Sequence, residues 1–549
     1  MPVQLILNSD HKEVEEGSSL FQYAESMGFP VPTSCHNQGK CKECIIEVVK
    51  GMELLSERTL HERHLQNNFR LSCQTKIQSD NGVIECRTMR RGQMKIVGSA
   101  IELPAWEENI VPEPCVTRSG DRILLDGKEI ARSSGGLYGI AMDLGTTTVV
   151  LRLIDLETGV VVANSSFENP QRFGGSDIMA RIQYDTEHRG KLLQRTLAGY
   201  ITHAIEEFPV DPTSIYEMVV AGNSTMRDLF FRMNVYSIGQ SPYRSITELE
   251  MEEGKRLSTV VTANARQLLL PIHPNARVYG MPIISGHVGA DAAACMLAVD
   301  LSHEERTVAI MDIGTNTELI VGNKNRIIAA SCPAGPAFEG GKIRWGMPGL
   351  SGAIERVRIQ DDGSAAVQVI DALHPQGICG SGLIDTLSEL LRTGYINQLG
   401  RFESDEHEFI LYSDHEKSIS LSENDINELA QAKGANVAGL HVAFKRFGLH
   451  FEDIDLFYLA GGFGRHVDIT SSKRMGLIPN IDDSKIVQVG NASIEGASIA
   501  LVSRSKRLEL EEMVKKVIHC RLETDPNFFD YFVEGCQFKP VNSLHQVGT

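Results

Sequence analysis

The sequence lacks most features of membrane, secreted and nucleic-acid-binding proteins. Basic residues are outnumbered, with 53 Lys and Arg against 71 Asp and Glu, so the formal net charge is −18. This balance argues against broad binding to nucleic acids or anionic membranes. No apolar run reaches the length of about 18 residues that a membrane-spanning helix needs, and the first residues lack the basic and apolar segments of a signal peptide. We therefore expect a cytoplasmic protein.

The length excludes a single hydrophobic core. At 549 residues, with 42% apolar and 23% charged residues, the composition is that of a globular protein with three or more structural units.

Cysteine is sparse except near the start of the chain. There are eleven cysteines, an odd number. Four of them, Cys35, Cys41, Cys44 and Cys73, lie close together in sequence. In a reducing compartment such clustering indicates metal binding rather than disulfides. Three thiolates on one loop and a fourth from a distant segment suit a 2Fe–2S cluster, although the plant-type spacing is one residue shorter. A structural zinc site with four cysteines is the alternative.

The residues around these cysteines favour iron and sulfur over zinc. Residues 3–7 and 12–15 alternate like two strands, residues 19–27 have a helical pattern, and residues 45–49 read as a strand. This segment resembles the ferredoxin β-grasp domain, with a cysteine spacing like that of vertebrate-type ferredoxins. It departs from the common pattern at His36 and Lys42, where glycines are usual. We expect His36, Lys40 and Lys42 to raise the potential of the cluster, and Cys86 to be a buried core thiol.

Two similar turns follow apolar strands in the remainder of the chain. They read Asp-Leu-Gly-Thr-Thr-Thr at residues 143–148 and Asp-Ile-Gly-Thr-Asn-Thr at residues 312–317. Glycine lets the backbone approach a phosphate, and hydroxyls and amides then supply donors. The Asp repels phosphate and suits a hydrated Mg²⁺ instead. A single Asp-x-Gly motif at the end of a strand is more often an ordinary turn than a phosphate site. Two such motifs in one chain, however, suggest two related lobes that close on a nucleotide. The candidate residues are Asp143, Gly145, Thr146, Thr147, Thr148, Asp312, Gly314, Thr315, Asn316 and Thr317.

A third element supports nucleotide binding. A buried-type strand at residues 455–460 runs into Gly461, Gly462, Phe463 and Gly464. Glycines there allow a flat base and ribose to lie against the backbone. The order of two phosphate turns and a Gly-Gly turn resembles the ATP-binding pattern of the sugar kinase, heat-shock 70 and actin superfamily. Glu339 is a further candidate, as a contact of the adenosine.

These segments predict the domain organisation. The expected fold is an α/β, actin-like two-lobed ATPase preceded by an N-terminal α+β β-grasp 2Fe–2S ferredoxin domain. We assign residues 1–90 to the ferredoxin-like domain and residues 91–137 to a mobile linker with a small hairpin at 120–127. Residues 138–304 form lobe I, and residues 305–549 form lobe II with a C-terminal segment.

Several longer stretches resemble the ferredoxin-linked reductive activators of corrinoid proteins over nearly the whole chain. They are residues 138–148, 169–171 with Asp177 and Arg181, 312–318, 334–340, 377–382, 431–434, 459–464 and 490–493. The resemblance implies an ATP-hydrolysing activase that returns a Co(II) corrinoid to Co(I) with one electron from the cluster. It further implies ATP, Mg²⁺ and a 2Fe–2S cluster as cofactors. The partners would be a corrinoid protein of a methyltransferase system and a low-potential electron donor, with a possible homodimer. The short connection before residue 138 predicts that a middle domain of some relatives is reduced here.

Two other functions remain open from the residues alone. One is a small-molecule kinase with a fused redox domain. The other is a nucleotide-binding electron carrier or redox sensor that does not turn over ATP. No catalytic base is assigned.

Overall fold

The N-terminal sheet brings distant segments of the chain around one short helix. In a computed structural model, which describes residues 3–8, 10–89, 112–415, 417–462 and 467–543, it has five strands in the order β2-β1-β5-β3-β4, with β1 and β5 parallel. The strands are β1 (Val3–Leu7), β2 (Asp10–Val14), β3 (Ile45–Lys50), β4 (Phe69–Leu71) and β5 (Val83–Thr88). Helix α1 (Leu20–Ser26) begins at a capping box in which Ser19 and Gln22 bond each other's backbone. The expected α+β β-grasp class is confirmed.

A small antiparallel sheet precedes the first lobe. Its strands are β6 (Val116–Ser119), β7 (Arg122–Leu125) and β8 (Lys128–Arg132). The sequence predicted one hairpin here, and the structure has a three-stranded meander. The first part of the predicted linker, residues 91–111, lies outside the described residues.

Lobe I contains a six-stranded mixed sheet in the order β11-β10-β9-β12-β14-β13. Its strands are β9 (Tyr138–Leu144), β10 (Thr148–Asp155), β11 (Val161–Glu168), β12 (Ile215–Gly222), β13 (Val261–Asn264) and β14 (Arg277–Gly280). Its helices are α2 (Ile178–Glu187), α3 (Leu192–Glu206), α4 (Ser224–Phe230), α5 (Ile246–Glu252) and α6 (Ala290–Ala298). All residues of β12 are buried, because the strand is central and covered on both faces.

Lobe II repeats this topology. Its sheet has the order β24-β23-β15-β16-β17-β25. The strands are β15 (Val308–Asp312), β16 (Thr317–Asn323), β17 (Arg326–Cys332), β23 (Leu456–Ala460), β24 (Ile486–Gly490) and β25 (Ile518–His519). In each lobe the first three strands pair antiparallel, β9-β10-β11 in lobe I and β15-β16-β17 in lobe II. A later strand then pairs in parallel with the first strand of the three, β12 with β9 and β23 with β15. The expected two-lobed, actin-like class is confirmed.

Smaller elements complete lobe II. They are the strands β18 (Ala353–Ile359), β19 (Ala365–Val369), β20 (Gly377–Ile378), β21 (Glu408–Ser413) and β22 (Ser418–Ser422), and the helices α7 (Gly380–Thr393), α8 (Glu423–Phe447), α9 (Ile469–Met475), α10 (Ala492–Val502), α11 (Arg504–Val514) and α12 (Phe528–Gly535). Within the described part of the chain, no helix is both long and apolar enough to cross a membrane.

Helix α10 joins the two lobes. It follows strand β24 of lobe II but packs on strand β9 and helix α6 of lobe I. A Cβ atom added at Gly496 would lie 2.0 Å from the carbonyl oxygen of Ala294, so the backbones of α10 and α6 touch. Arg152 of lobe I donates to both carboxylate oxygens of Glu495, at 2.8 and 2.7 Å, and both side chains are buried. A continuous apolar core lies beneath both sheets at this joint.

Candidate functional site

The four predicted cluster ligands lie together in two pairs. The sulfur atoms of Cys44 and Cys73 are 3.2 Å apart, and the thiols of Cys35 and Cys41 interact with each other. A single tetrahedral zinc holds all four sulfurs about 3.8 Å from one another. Among the described residues, however, no three cysteine sulfurs lie within 4.8 Å of one another. Two pairs therefore fit the two metal ions of a binuclear cluster better than one zinc ion.

The four thiols differ in how readily they form the thiolate that metal binding requires. Burial raises the pKa of Cys41, and the hydrogen bond to Cys73 together with burial raises the pKa of Cys44. The sulfur of Cys73 accepts a hydrogen bond from the Cys44 thiol and lies 3.4 Å from Nε2 of Gln74, and these contacts lower the pKa of Cys73 to about 6. The ammonium group of Lys42 attracts all four thiolates, although burial lowers the pKa of Lys42. It also donates to the carbonyl oxygen of His61. Lys40 and His36 are exposed. Their effect on the cluster potential stays a prediction.

Backbone conformation explains why glycine is usual at two positions of the cysteine loop. His36 has φ 51° and Lys42 has φ 69°, both in the left-handed region. A non-glycine residue in this conformation costs roughly 1 kcal/mol, which glycine avoids. Both residues therefore keep the loop path that glycine gives elsewhere, at some cost in stability.

The two predicted phosphate turns meet at one cleft between the lobes. The cleft has a volume of about 110 Å³. Of the predicted residues, it is lined by Asp143, Gly145, Thr146, Thr148, Asp312, Gly314, Thr315, Asn316, Glu339, Gly461 and Gly462. The Gly145 amide donates to the Thr148 carbonyl, and a Cβ atom at Gly145 would lie 2.7 Å from that oxygen, so the first turn requires glycine. Thr317 is buried beside the second turn. Phe463 and Gly464 lie outside the described residues.

Sequence reasoning did not assign five polar residues of this cleft. They are Asn223, Asp291, Glu318, Asn491 and Ser493. Asn223 donates to the hydroxyl of Thr146 at 3.0 Å. Asn491 and Ser493 donate to the two carboxylate oxygens of Asp143, at 2.7 and 2.9 Å.

The cleft concentrates negative charge at the ends of the strands. Burial and the charge of Asp143 raise the pKa of Asp312 to about 7. Burial, together with the charges of Asp312 and Asp143, likewise raises the pKa of Asp291 to about 7. Burial also raises the pKa of Asp143, against its hydrogen bonds from Asn491 and Ser493. Buried carboxylates in mutual repulsion are stabilised by a divalent cation, and oxygen ligands of this kind suit Mg²⁺.

Glu339 lies between the two phosphate turns. Its carboxylate accepts hydrogen bonds from the hydroxyls of Thr147, at 3.0 Å, and of Thr315. Glu339 therefore lies at the phosphate side of the cleft. This position favours a contact with the phosphates over the expected contact with the adenosine.

A short segment of lobe I connects the first phosphate turn to the cysteine domain. Asn169, which precedes the 3-10 helix Pro170–Gly174, donates to the carbonyls of Gly145 (2.9 Å) and Thr147 (2.7 Å). Further along, the hydroxyl of Tyr184 donates to the carbonyl of His64 at 2.8 Å. The cysteine domain is thus packed on the lobe that carries the first phosphate turn.

Comparisons with known proteins agree with both halves of this arrangement. A model of the 2Fe-2S iron-sulfur cluster binding domain matches residues 6–78. A model of the RACo middle region matches residues 138–304, and one of the C-terminal domain of RACo, the ASKHA domain, matches residues 306–547. The matched middle region coincides with the predicted lobe I, and the reduction of a domain before residue 138 stays a prediction.

Similar proteins span the same length. The corrinoid activation enzyme RamQ of Eubacterium limosum is 27% identical, over 98% of this chain and 99% of that protein. The [Co(II) methylated amine-specific corrinoid protein] reductase of Methanosarcina barkeri is 26% identical, over 72% and 76%. A solved structure of a reductive activator for corrinoid, iron-sulfur protein is 28% identical, covers 98% of both chains and has a TM-score of 0.72.

Proposed function

Because this chain belongs to the family of ferredoxin-linked reductive activators of corrinoid proteins, we propose that it uses ATP to return a protein-bound corrinoid from Co(II) to Co(I). One electron leaves a low-potential donor, passes through the cysteine domain and is gained by cobalt. The observation that carries the proposal is the packing of the paired thiols onto the lobe that holds the first phosphate turn.

The site residues divide between two tasks. Cys35, Cys41, Cys44 and Cys73 hold the 2Fe–2S cluster, which, when bound, accepts and releases one electron at a time. The two turns and Gly461–Gly462 bind the nucleotide, and Asp143, Asp291 and Asp312 hold Mg²⁺ at its phosphates.

The energetics explain why both parts are needed. Plant-type clusters have potentials near about −400 mV. For an acceptor lower by roughly 100 mV, transfer of one electron costs about 2.3 kcal/mol. ATP can offset this cost only if it favours one arrangement of the lobes, and if that arrangement favours a corrinoid state that is easier to reduce.

We further propose, from the resemblance to this family, that the partner is a corrinoid protein of a methyltransferase system in the cytoplasm and that the donor is a low-potential electron carrier. A homodimer is compatible with this scheme.

The test is an anaerobic reduction assay with the Co(II) corrinoid protein, a low-potential reductant and this protein. Cobalt spectroscopy should show Co(I) with MgATP and little Co(I) with MgADP or without nucleotide. A Cys41→Ser variant should give none. Reduction to full extent without ATP would count against the proposal.

A further inference from the structure

Arg181 is a buried cation without an adequate partner. It lies on helix α2 and its side chain is fully buried. Its Nε donates to the carbonyl of Gly175 at 3.0 Å, while Nη1 meets only the sulfur of Met226 at 3.0 Å, and a thioether is a weak acceptor. Nη2 has no hydrogen-bond partner in the described part of the chain. A buried guanidinium is costly unless an anion pairs with it.

Two acidic side chains attract the Arg181 guanidinium, Asp177 more strongly than Glu339 of lobe II. Asp177 uses its carboxylate to cap α2 through the Ala180 amide at 2.9 Å. Glu339 and Arg181 attract each other, since each charge favours the ionised form of the other. Glu339 itself is held away by the hydroxyls of Thr147 and Thr315.

This set of donors matches a phosphoryl group. Two hydroxyls come from the two opposed phosphate turns, and the planar guanidinium of Arg181, which suits phosphate oxygens, attracts the Glu339 carboxylate that these hydroxyls hold. The Glu339 carboxylate accepts hydrogen bonds from both hydroxyls, as a phosphate group would, but it carries less negative charge than a terminal phosphate. A second buried side chain nearby, Gln171, has neither amide atom bonded among the described residues, so further hydrogen-bonding capacity is left over in this segment.

We propose that Arg181 is a ligand of the terminal phosphate of ATP, and that Glu339 competes with this phosphate for Thr147 and Thr315. The inference rests on the proposed function, because it requires ATP in the cleft. The inference adds to the proposed function the residue that distinguishes ATP from ADP, because ADP lacks the terminal phosphate.

The position of Arg181 on α2 gives this contact a consequence. Tyr184 lies one turn further along the same helix and donates to His64 of the cysteine domain. A displacement of Arg181 toward the terminal phosphate therefore moves the helix that contacts the cysteine domain. ADP would leave this contact unchanged.

The experiment is calorimetric titration of the full-length, cluster-loaded protein with MgATP and with MgADP. Arg181→Gln should weaken ATP binding about 10- to 100-fold and change ADP binding by no more than about twofold. Arg181→Lys should lie between wild type and Arg181→Gln, because it keeps the charge without the fork. Glu339→Gln should strengthen ATP binding, because it removes a competing charge. Gln183→Ala, on the exposed face of α2, is the matched control and should match wild type.

Each result decides the question. Equal losses of ATP and ADP affinity in Arg181→Gln, or no loss, overturn the inference. If Arg181→Gln does not retain its visible cluster spectrum, Arg181→Lys and Glu339→Gln decide, and unchanged ATP affinity in both variants overturns the inference. Wild-type protein that does not bind MgATP refutes the proposed function itself.

Discussion

The side-chain hydroxyls of Thr147 and Thr315 lie 2.8 Å apart, although 168 residues separate them in the chain. Each belongs to one of the two phosphate turns, Thr147 as the fifth residue of the first turn and Thr315 as the fourth residue of the second, so the two turns touch each other directly. A nucleotide phosphate that enters between these turns must replace this contact with its own oxygen atoms. The cleft can therefore respond to phosphate with both lobes at once.

Substitution of Asp312 should separate Mg²⁺-dependent from Mg²⁺-independent nucleotide binding. Asp312→Asn removes one charge from the buried carboxylate group of the cleft. We expect the affinity for MgATP, measured by calorimetry, to fall by about 10-fold or more, and binding without Mg²⁺ to change little. Asp362→Asn, in the exposed turn between β18 and β19, is the control. Equal affinity of Asp312→Asn and wild type for MgATP would exclude Asp312 as a metal-binding group.

Two cysteine variants should differ in iron content. Cys41→Ser should abolish the visible absorption and most of the bound iron, because it removes one of the four paired thiols. Cys86→Ala should retain both, at a cost of about 1 kcal/mol in stability, because Cys86 is buried within the sheet. Stoichiometric zinc in anaerobically purified wild-type protein would overturn the assignment of the site.

The joint between the lobes should depend on one ion pair. Arg152→Met removes the cation that pairs with the buried carboxylate of Glu495 and should destabilise the protein by about 3–5 kcal/mol, seen as a lower thermal midpoint. The double variant Arg152→Met with Glu495→Leu should recover much of this loss, since no charge remains unpaired. Arg132→Met, which breaks an exposed pair with Glu129, should leave the thermal midpoint almost unchanged. A similar midpoint for Arg152→Met and wild type would show that the pair is not needed.

Acid should weaken the contact between the cysteine domain and lobe I through His64. Burial and the charge of Lys42 lower the pKa of His64 from 6.5 to about 4. The unfolded chain therefore binds a proton between pH 6.5 and 4 that the folded chain does not. Stability is fully present above pH 6.5 and falls as the pH drops toward 4, by at most about 3 kcal/mol from this residue.

The measurement is urea unfolding of the cluster-loaded protein at pH 7 and pH 5. His64→Gln should reduce the difference between the two values, whereas His203→Gln, on the half-exposed face of α3, should not. An unchanged difference in His64→Gln would assign the acid sensitivity to other groups.

The sequence predicted the parts of the site that have a local signature. The two Asp-x-Gly-Thr turns and the cysteine loop combine residues that are close in sequence, and the expected fold follows from them. Asn223 and Asn491 have no such signature, because each caps a helix, α4 and α10 respectively. Capping accounts for an Asn in sequence, and only the fold shows that the same side chains also bond Thr146 and Asp143.

Contacts between distant segments were beyond sequence reasoning for a similar reason. Arg152 and Glu495 each look like an ordinary charged residue in its own strand or helix, and nothing local predicts that they pair. The position of Glu339 likewise depends on how the two lobes close, which apolar patterns do not specify.

The close approach of Gly496 to the carbonyl of Ala294 limits how the lobes can move. The contact involves backbone atoms alone, so there is no side chain that could change rotamer to accommodate sliding of one helix past the other. Rotation about the crossing point preserves the contact, whereas translation along either helix axis would break it. Nucleotide-driven opening and closing should therefore be a hinge motion with its axis near this glycine, which gives the largest displacements at the cleft rim farthest from it.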